Sequence, residues 1–126
     1  MRNRRIIRNL MCISRNDDWS LSIYMQLFRP LYEKYEVDAV SFGHSHVYER
    51  YLINGVNYIE AASIGNNYRG EDDPYHPSGN KPVFEKNDIR SFMILTKDDT
   101  GISAKGIAAS GDTKGEVFDE FYVAEK

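Results

Sequence analysis

An Asn-Gly dipeptide at residues 54 and 55 constrains the fold more than any other short feature of this chain. It lies between two candidate strands, residues 48–53 and 56–61. A two-residue type I′ turn needs positive φ at both central positions, and Asn followed by Gly is the pair that tolerates this best. The sequence therefore predicts an antiparallel β-hairpin near the middle of the chain.

One helix is predicted before the hairpin. Apolar side chains recur at helical spacing from Leu21 to Tyr35, and Asp18 or Ser20 is the candidate N-cap. Pro30 lies inside this pattern, lacks an amide proton and crowds the carbonyl group one turn earlier. We therefore expect a helix that covers a sheet and kinks or restarts at Pro30.

Three further strands are predicted after the hairpin, at residues 92–96, 102–108 and 117–123. The first two should pair, and the third should close the sheet. Residues 66–88 are rich in Gly, Pro, Asn and charge and show no periodicity, which predicts a long loop near the functional site or a disordered segment. The chain is thus predicted to be a β-rich α+β fold with one N-terminal helix and about five to seven strands.

Two histidines, His44 and His46, directly follow a short apolar run at residues 37–42. On a helix, residues two apart point about 200° from each other, whereas at a strand end or in a tight loop they project to one side. Gly43 allows the backbone to turn sharply at this point. The pair could therefore bind one metal ion or two adjacent ions, and the alternative is two surface residues in a polar loop.

The octapeptide GHSHVYER, residues 43–50, follows the sequence VDAV and resembles the last metal-binding motif of the calcineurin-like metallophosphoesterases. Its Tyr-Glu-Arg ending is most similar to the purple acid phosphatase branch. The resemblance extends over residues 5–123, because the preceding segment LFRPLYEKYEVDAV is similar to the helix and strand that lead into the motif. Residues 58–60 and 116–121 are similar to the closing strands of that family.

The resemblance implies a two-sheet αββα sandwich and hydrolysis of a phosphoester substrate at a dinuclear metal centre. His44 and His46 would each bind one of two divalent or trivalent ions, either Fe, Mn or Zn. Tyr48, Glu49 and Arg50 are expected to contact the ligands or a neighbouring strand and not to act as catalytic groups. No catalytic residue is assigned within this chain.

The sequence departs from the family in the motifs that supply the other ligands. D-x-H, G-D-x-x-D and G-N-H-[DE] normally precede the G-H-x-H motif and are missing, and no histidine precedes His44. Residues 111–115 and 65–67 imitate two of these motifs imperfectly and in the wrong order. Cys12 stands where a lone upstream ligand is expected, and it is either a thiolate ligand or a small buried apolar residue.

Two imidazoles cannot hold a dinuclear centre, so the resemblance implies the C-terminal portion of a phosphatase or phosphodiesterase that is inactive on its own. The alternative is a non-catalytic β-rich interaction or oligomerisation module descended from such an enzyme. Half a sandwich would leave an apolar sheet face bare, so the expected partner is either the missing N-terminal half or a second copy of the chain.

Composition agrees with one domain over residues 1–126, since 41% of the residues are hydrophobic and 28% are charged. The net charge of −3 gives no reason to expect nucleic acid as a partner, and no apolar run approaches a membrane span. No compartment is assigned, and a cytoplasmic location is only the default expectation. Two local groups of charged residues each allow two interpretations. The N-terminal arginines, at positions 2, 4, 5, 8 and 15, indicate either a strand with exposed flanks or a basic arm. The group Asp72, Asp73 and His76 indicates either a solvated loop or a surface cation site.

Overall fold

The computed structural model describes residues 6–8, 19–43, 46–61, 82–86 and 88–125. These residues form one helix and eight strands. In chain order the elements are β1 (Ile6–Arg8), α1 (Trp19–Lys34), β2 (Ala39–Phe42), β3 (Tyr48–Ile53), β4 (Val56–Glu60), β5 (Phe84–Lys86), β6 (Ser91–Asp98), β7 (Gly101–Ala108) and β8 (Val117–Glu125). The prediction of a β-rich α+β fold with one helix is confirmed.

Sheet A contains five strands in the order β1-β2-β4-β3-β5. Strands β1, β2 and β4 are parallel, whereas β3 runs antiparallel to both β4 and β5. The predicted hairpin is confirmed as β3 and β4, and Asn54 and Gly55 both have positive φ, at 49° and 81°. The turn chemistry therefore determines the register of the two central strands.

Helix α1 ends in a turn that directs the chain into sheet A. Glu36 has a φ of 51°, its amide donates to the carbonyl of Glu33, and the amide of Val37 donates to the carbonyl of Tyr32. This is the Schellman arrangement, which satisfies the last carbonyl groups of a helix. Val37 is buried directly after it, and β2 begins two residues later, at Ala39.

The helix packs on one face of sheet A, and its start and continuity correct two details of the sequence prediction. Tyr32 and Val37 form a buried cluster with side chains of three strands, namely Val40, Tyr51, Ile53, Val56 and Tyr58. Ser20 lies inside the helix, so it is wrong as the N-cap, and Asp18 lies outside the described residues. The helix also continues through Pro30, so the expected restart is wrong, whereas the expected kink stays a prediction. Packing of Tyr32 against the sheet offsets the local cost of proline.

Sheet B consists of β6, β7 and β8 in that order, all antiparallel, as the pairing prediction required. Sheet B covers the second face of sheet A through a buried cluster of residues from both sheets, namely Ala39, Ile59, Ile102, Ala104 and Val123. The partly buried side chains of Met93 and Phe121 pack against this cluster. The buried Asn57 side chain ties the layers by donating to the carbonyl groups of Asp38 and Val123. The layers are thus helix, sheet and sheet.

Strand β5 corrects the expectation of an uninterrupted loop over residues 66–88. Its three residues pair with β3, and the Phe84 ring stacks on Phe118 at 6.0 Å and meets Tyr48 edge-on at 6.1 Å. These contacts join distant parts of the chain, so a local pattern does not show them. Within the described residues, no helix has both the length and the apolar character needed to span a membrane.

Candidate functional site

The histidine loop, residues 43–47, joins the carboxyl end of β2 to the start of β3. His46 is half-buried and has a φ of 59°, a left-handed conformation in which histidine is found more often than most residues. Val47 is fully buried and anchors the end of the loop. The loop therefore lies at the strand end where it was predicted. His44 and Ser45 are outside the described residues, so a shared orientation of the two imidazole rings stays a prediction.

Two buried carboxyl groups lie at the same end of sheet A. Phe42, the last residue of β2, is in register with Glu60, and Glu60 is directly opposite Glu49 across the hairpin. Residues directly opposite in an antiparallel pair project from the same face of the sheet. Both glutamates are completely buried, and the Tyr51 hydroxyl donates to Oε2 of Glu49 at 2.6 Å. Glu49, predicted as a supporting residue, thus occupies the helix-side face beneath the loop end of the sheet.

Glu60 was not recognised as a candidate site residue from the sequence. Its position became informative only with the register, which aligns it with the end of β2 and with Glu49. The signal in the sequence was weak, because it consists of a single acidic residue at the end of a strand whose five residues are all buried in the structure. Such residues are uncommon inside proteins unless they have a partner or a function.

Tyr48 and Arg50 project from the opposite face of β3, toward sheet B, where both bind Asp119 of β8. The Tyr48 hydroxyl donates to Oδ2 at 3.0 Å, Arg50 Nε donates to Oδ2 at 2.9 Å, and Arg50 Nη2 donates to Oδ1 at 3.0 Å. The guanidinium group also lies 4.0 Å from the centre of the Phe121 ring. We call Tyr48, Arg50 and Asp119 the inter-sheet clamp.

The clamp is shielded from solvent. The side chain of Asp119 is 4% exposed and that of Arg50 is 15% exposed. Burial, followed by the negative charge of Asp119, raises the pKa of the Tyr48 hydroxyl well above its usual range, so Tyr48 remains a hydrogen-bond donor at neutral pH. A two-point guanidinium–carboxylate pair also fixes the relative orientation of the strands that carry it. The clamp therefore fixes β3 from its first residue, two positions after His46.

The neighbourhood of the clamp is tightly packed. The Tyr48 ring meets Phe118 edge-on at 4.8 Å, and both rings lie against Gly106 of β7. A Cβ atom at position 106 would lie 2.8 Å from the Phe118 ring, closer than such contacts allow. Glycine is therefore required here so that the backbone can approach the two rings.

The other candidate residues either lie in an exposed turn or fall outside the described residues. Residues 111–115, which imitate a family motif, form an exposed turn between β7 and β8, with Gly111 and Gly115 at φ 74° and 91°. Cys12, residues 65–67 and the group Asp72, Asp73 and His76 lie outside the described residues. Across the part of the chain that the structure describes, no three His, Cys, Asp or Glu side chains are arranged to hold a metal ion.

Comparison with known proteins supports the fold assignment. No family model and no curated protein matches the sequence. Among solved structures, the chain is similar to GAP50, described as the anchor in the inner membrane complex of Plasmodium, with a TM-score of 0.74 and 23% identity over 96% of this chain and 36% of that one. It is also similar to Vps29 of Entamoeba histolytica, solved with zinc, with a TM-score of 0.52 and 21% identity over 94% of this chain and 55% of that one.

These findings show that the chain has an α+β, metallophosphoesterase-like fold, because Vps29 has the calcineurin-like metallophosphoesterase fold. At such identities the likeness shows the fold alone. The chain spans about a third of the length of GAP50 and just over half that of Vps29. Neither similarity supports the purple acid phosphatase branch, which stays a prediction.

Proposed function

We propose that this chain supplies two metal ligands, His44 and His46, to the dinuclear centre of a metal-dependent phosphoester hydrolase. The observation that carries the proposal is the position of the histidine loop, which follows the carboxyl end of parallel strand β2 in a metallophosphoesterase-like fold. Ligands of open parallel sheets gather at this end of the strands.

The described residues do not fit a complete metal centre, since they contain no group of three candidate ligands. Zinc in catalytic sites takes about three protein ligands, and two-metal sites take more. The remaining donors, including a bridging carboxylate, would therefore come from outside the described residues of this chain or from other protein segments. When both ions are bound, they would supply the charge that activates water and stabilises the leaving oxygen. This chain's own part would be to present two imidazoles from a loop that the inter-sheet clamp holds in place.

Calorimetric titration of the purified chain with zinc tests the ligand assignment. We expect weak binding that is lost in the variants His44→Ala and His46→Ala. The matched control is His76→Ala, which removes the third histidine of the chain and leaves the motif intact. Binding that survives both motif substitutions and disappears in the control would contradict the proposal and would identify the 72–76 segment as the cation site.

Hydrolysis itself is tested with an aryl phosphate. The isolated chain is expected to hydrolyse it no faster than its His44→Ala variant, because the centre is incomplete. The genomic sequence directly upstream of Met1 should contain D-x-H and G-D-x-x-D in frame, and a chain extended to include them should turn over the substrate in a His44-dependent way. An extended chain with metal bound and no phosphoesterase activity would contradict the enzymatic function.

A non-catalytic interaction or oligomerisation module is the second candidate. Two observations favour it: the described residues hold no complete metal site, and the similar GAP50 structure is described as an anchor. Under this function, zinc would bind no better to the chain than to the His44→Ala variant, and the histidine loop would be a relic of the fold's ancestry.

A further inference from the structure

Among the residues that the structure describes, the two sheets have four edge strands, and these edges differ in how well they are protected against pairing with another chain. An exposed edge presents unpaired amide and carbonyl groups and is a template for a further strand. In the described part of the chain, the edges of sheet A are β1 and β5, which have three residues each and so offer few positions for pairing. One edge of sheet B is β8, which carries two exposed acidic residues, Glu120 and Glu125, and would repel a second copy of itself.

Strand β6 is the least protected of these edges, because its two charged residues, Lys97 and Asp98, both lie at its carboxyl end. It has eight residues, with the sequence SFMILTKD, and within the described part of the chain it pairs only with β7. Five consecutive residues from Ile94 to Asp98 are exposed, and Ile94 and Leu95 are 45% and 43% exposed. A long, apolar and uncovered edge strand is an association site in natural proteins.

We propose that β6 is the interface for a second copy of this chain, paired antiparallel about a two-fold axis at Ile94. The two copies of sheet B would then form one continuous sheet across the axis. A two-fold axis perpendicular to the sheet relates identical surfaces, so each contact away from the axis occurs twice. The proposal concerns a different surface from the histidine loop and does not depend on catalysis.

The charges at the two ends of the strand select this register. With Ile94 on the axis, Ile94 faces its own copy, Met93 faces Leu95, and Arg90 of each copy lies opposite Asp98 of the other. Moving the axis to Met93 would bring Asp88 against Asp98, and moving it to Leu95 would bring Phe92 against Asp98. Opposite charges at facing positions stabilise a strand pair and like charges destabilise it, so the register centred on Ile94 is preferred.

Asp98 is suited to this contact because it is charged at neutral pH. The side chain and backbone amide of Thr100 both donate to Oδ1 of Asp98, at 2.6 Å and 2.7 Å, and these bonds lower the pKa of its carboxyl group. Arg90 is half-buried directly before the strand, and its carbonyl group accepts the amide of Ala109. Both charged residues therefore have a fixed backbone position at the ends of β6.

Sedimentation velocity on the 126-residue chain, with the variants Arg90→Glu and Asp98→Lys, tests the pairing. The unmodified chain should show a concentration-dependent dimer. Each variant alone places like charges opposite each other at two positions, and we expect its dissociation constant to rise by at least about tenfold. An equimolar mixture of the two variants places opposite charges at both positions, so dimers should reappear in the mixture.

Two further variants separate the interface from general loss of apolar surface. Ile94→Lys puts two cations on the axis and should give a monomer. Val117→Lys is the matched control, because Val117 is 47% exposed on the far edge strand of the same sheet, and it should dimerise like the unmodified chain. Thermal unfolding by circular dichroism of each variant confirms that it is folded. A monomer at all concentrations, a dimer unaffected by Ile94→Lys, or a mixture that stays monomeric would each overturn the proposal.

Discussion

Replacing Asp119 by Ala removes the acceptor of all three hydrogen bonds in the inter-sheet clamp. The substitution leaves the Tyr48 hydroxyl between the two sheets without this partner and leaves the Arg50 guanidinium group beside Phe121 without its carboxylate. Tyr48 is fully buried, and the Arg50 side chain is only 15% exposed, so water can restore little of the lost solvation. The loss in the free energy of unfolding should therefore be that of breaking a buried ion pair and not that of breaking an ion pair on the surface.

Breaking one partner of a buried ion pair costs about 3–5 kcal/mol, because the remaining charge is uncompensated. The partial exposure of Arg50 and its contact with the Phe121 ring reduce this cost, so we expect a loss of about 3 kcal/mol in the free energy of unfolding. Total stabilities of domains are about 5–15 kcal/mol. The variant should therefore remain folded in buffer but unfold at a much lower urea concentration.

The measurement is urea denaturation followed by circular dichroism at one protein concentration. The neighbouring Glu120→Ala variant is the matched control: Glu120 pairs with Lys105 at 3.2 Å, but the two side chains are 60% and 45% exposed, and such pairs contribute about 0–1 kcal/mol. Adding Arg50→Met to Asp119→Ala should recover part of the loss, because it removes the uncompensated charge. If Asp119→Ala costs within about 0.5 kcal/mol of Glu120→Ala, the clamp does not hold the sheets together.

Three further predictions concern the hairpin turn of sheet A and its buried Tyr58. Gly55→Ala should lower the free energy of unfolding, measured by urea denaturation, by about 1 kcal/mol, because φ is 81° at this position although the space around a Cβ atom is open. The control Gly43→Ala, at a position with open space and no positive φ, should cost little. Equal losses in the two variants would contradict the turn assignment. Tyr58→Phe should leave stability unchanged or raise it by about 1 kcal/mol, since the buried hydroxyl has no hydrogen-bond partner among the described residues. Burial raises the pKa of Tyr58 from 10.0 to about 12, so the folded state keeps a proton that the unfolded chain loses above pH 10. The stability of the unmodified chain should fall between pH 10 and 12, and an equally steep fall in the Phe variant would rule out Tyr58 as its source.

The elements that local chemistry determines were predictable. The Asn54-Gly55 turn required positive φ at two successive residues, and the hairpin formed around it as expected. The apolar run before Gly43 became β2, so the histidine loop lies at the predicted strand end. Helix α1 and the three strands of sheet B were also predicted from their apolar residues, and β7 shows the regular alternation of buried and partly buried positions that such a prediction expects.

Properties that depend on contacts between distant residues could not be read from such patterns. Neighbouring residues 48, 49 and 50 look like one group in the sequence, yet Glu49 faces the helix side of sheet A while Tyr48 and Arg50 bind Asp119, about 70 positions later. Strand β5 has too little local preference to be recognised, and it forms because Phe84 packs against Phe118.

The sequence by itself therefore determined helix α1, the hairpin turn with its two flanking strands, the strands of sheet B, and the end of β2 at Gly43. These features depend on backbone conformations and side-chain periodicities within about ten residues. Only the tertiary structure decided that Glu60 lies opposite Glu49, that Asp119 joins the two sheets, and that β6 is an edge strand among the described residues. Each of these depends on strand order and register, which are set by the burial of surfaces from distant parts of the chain.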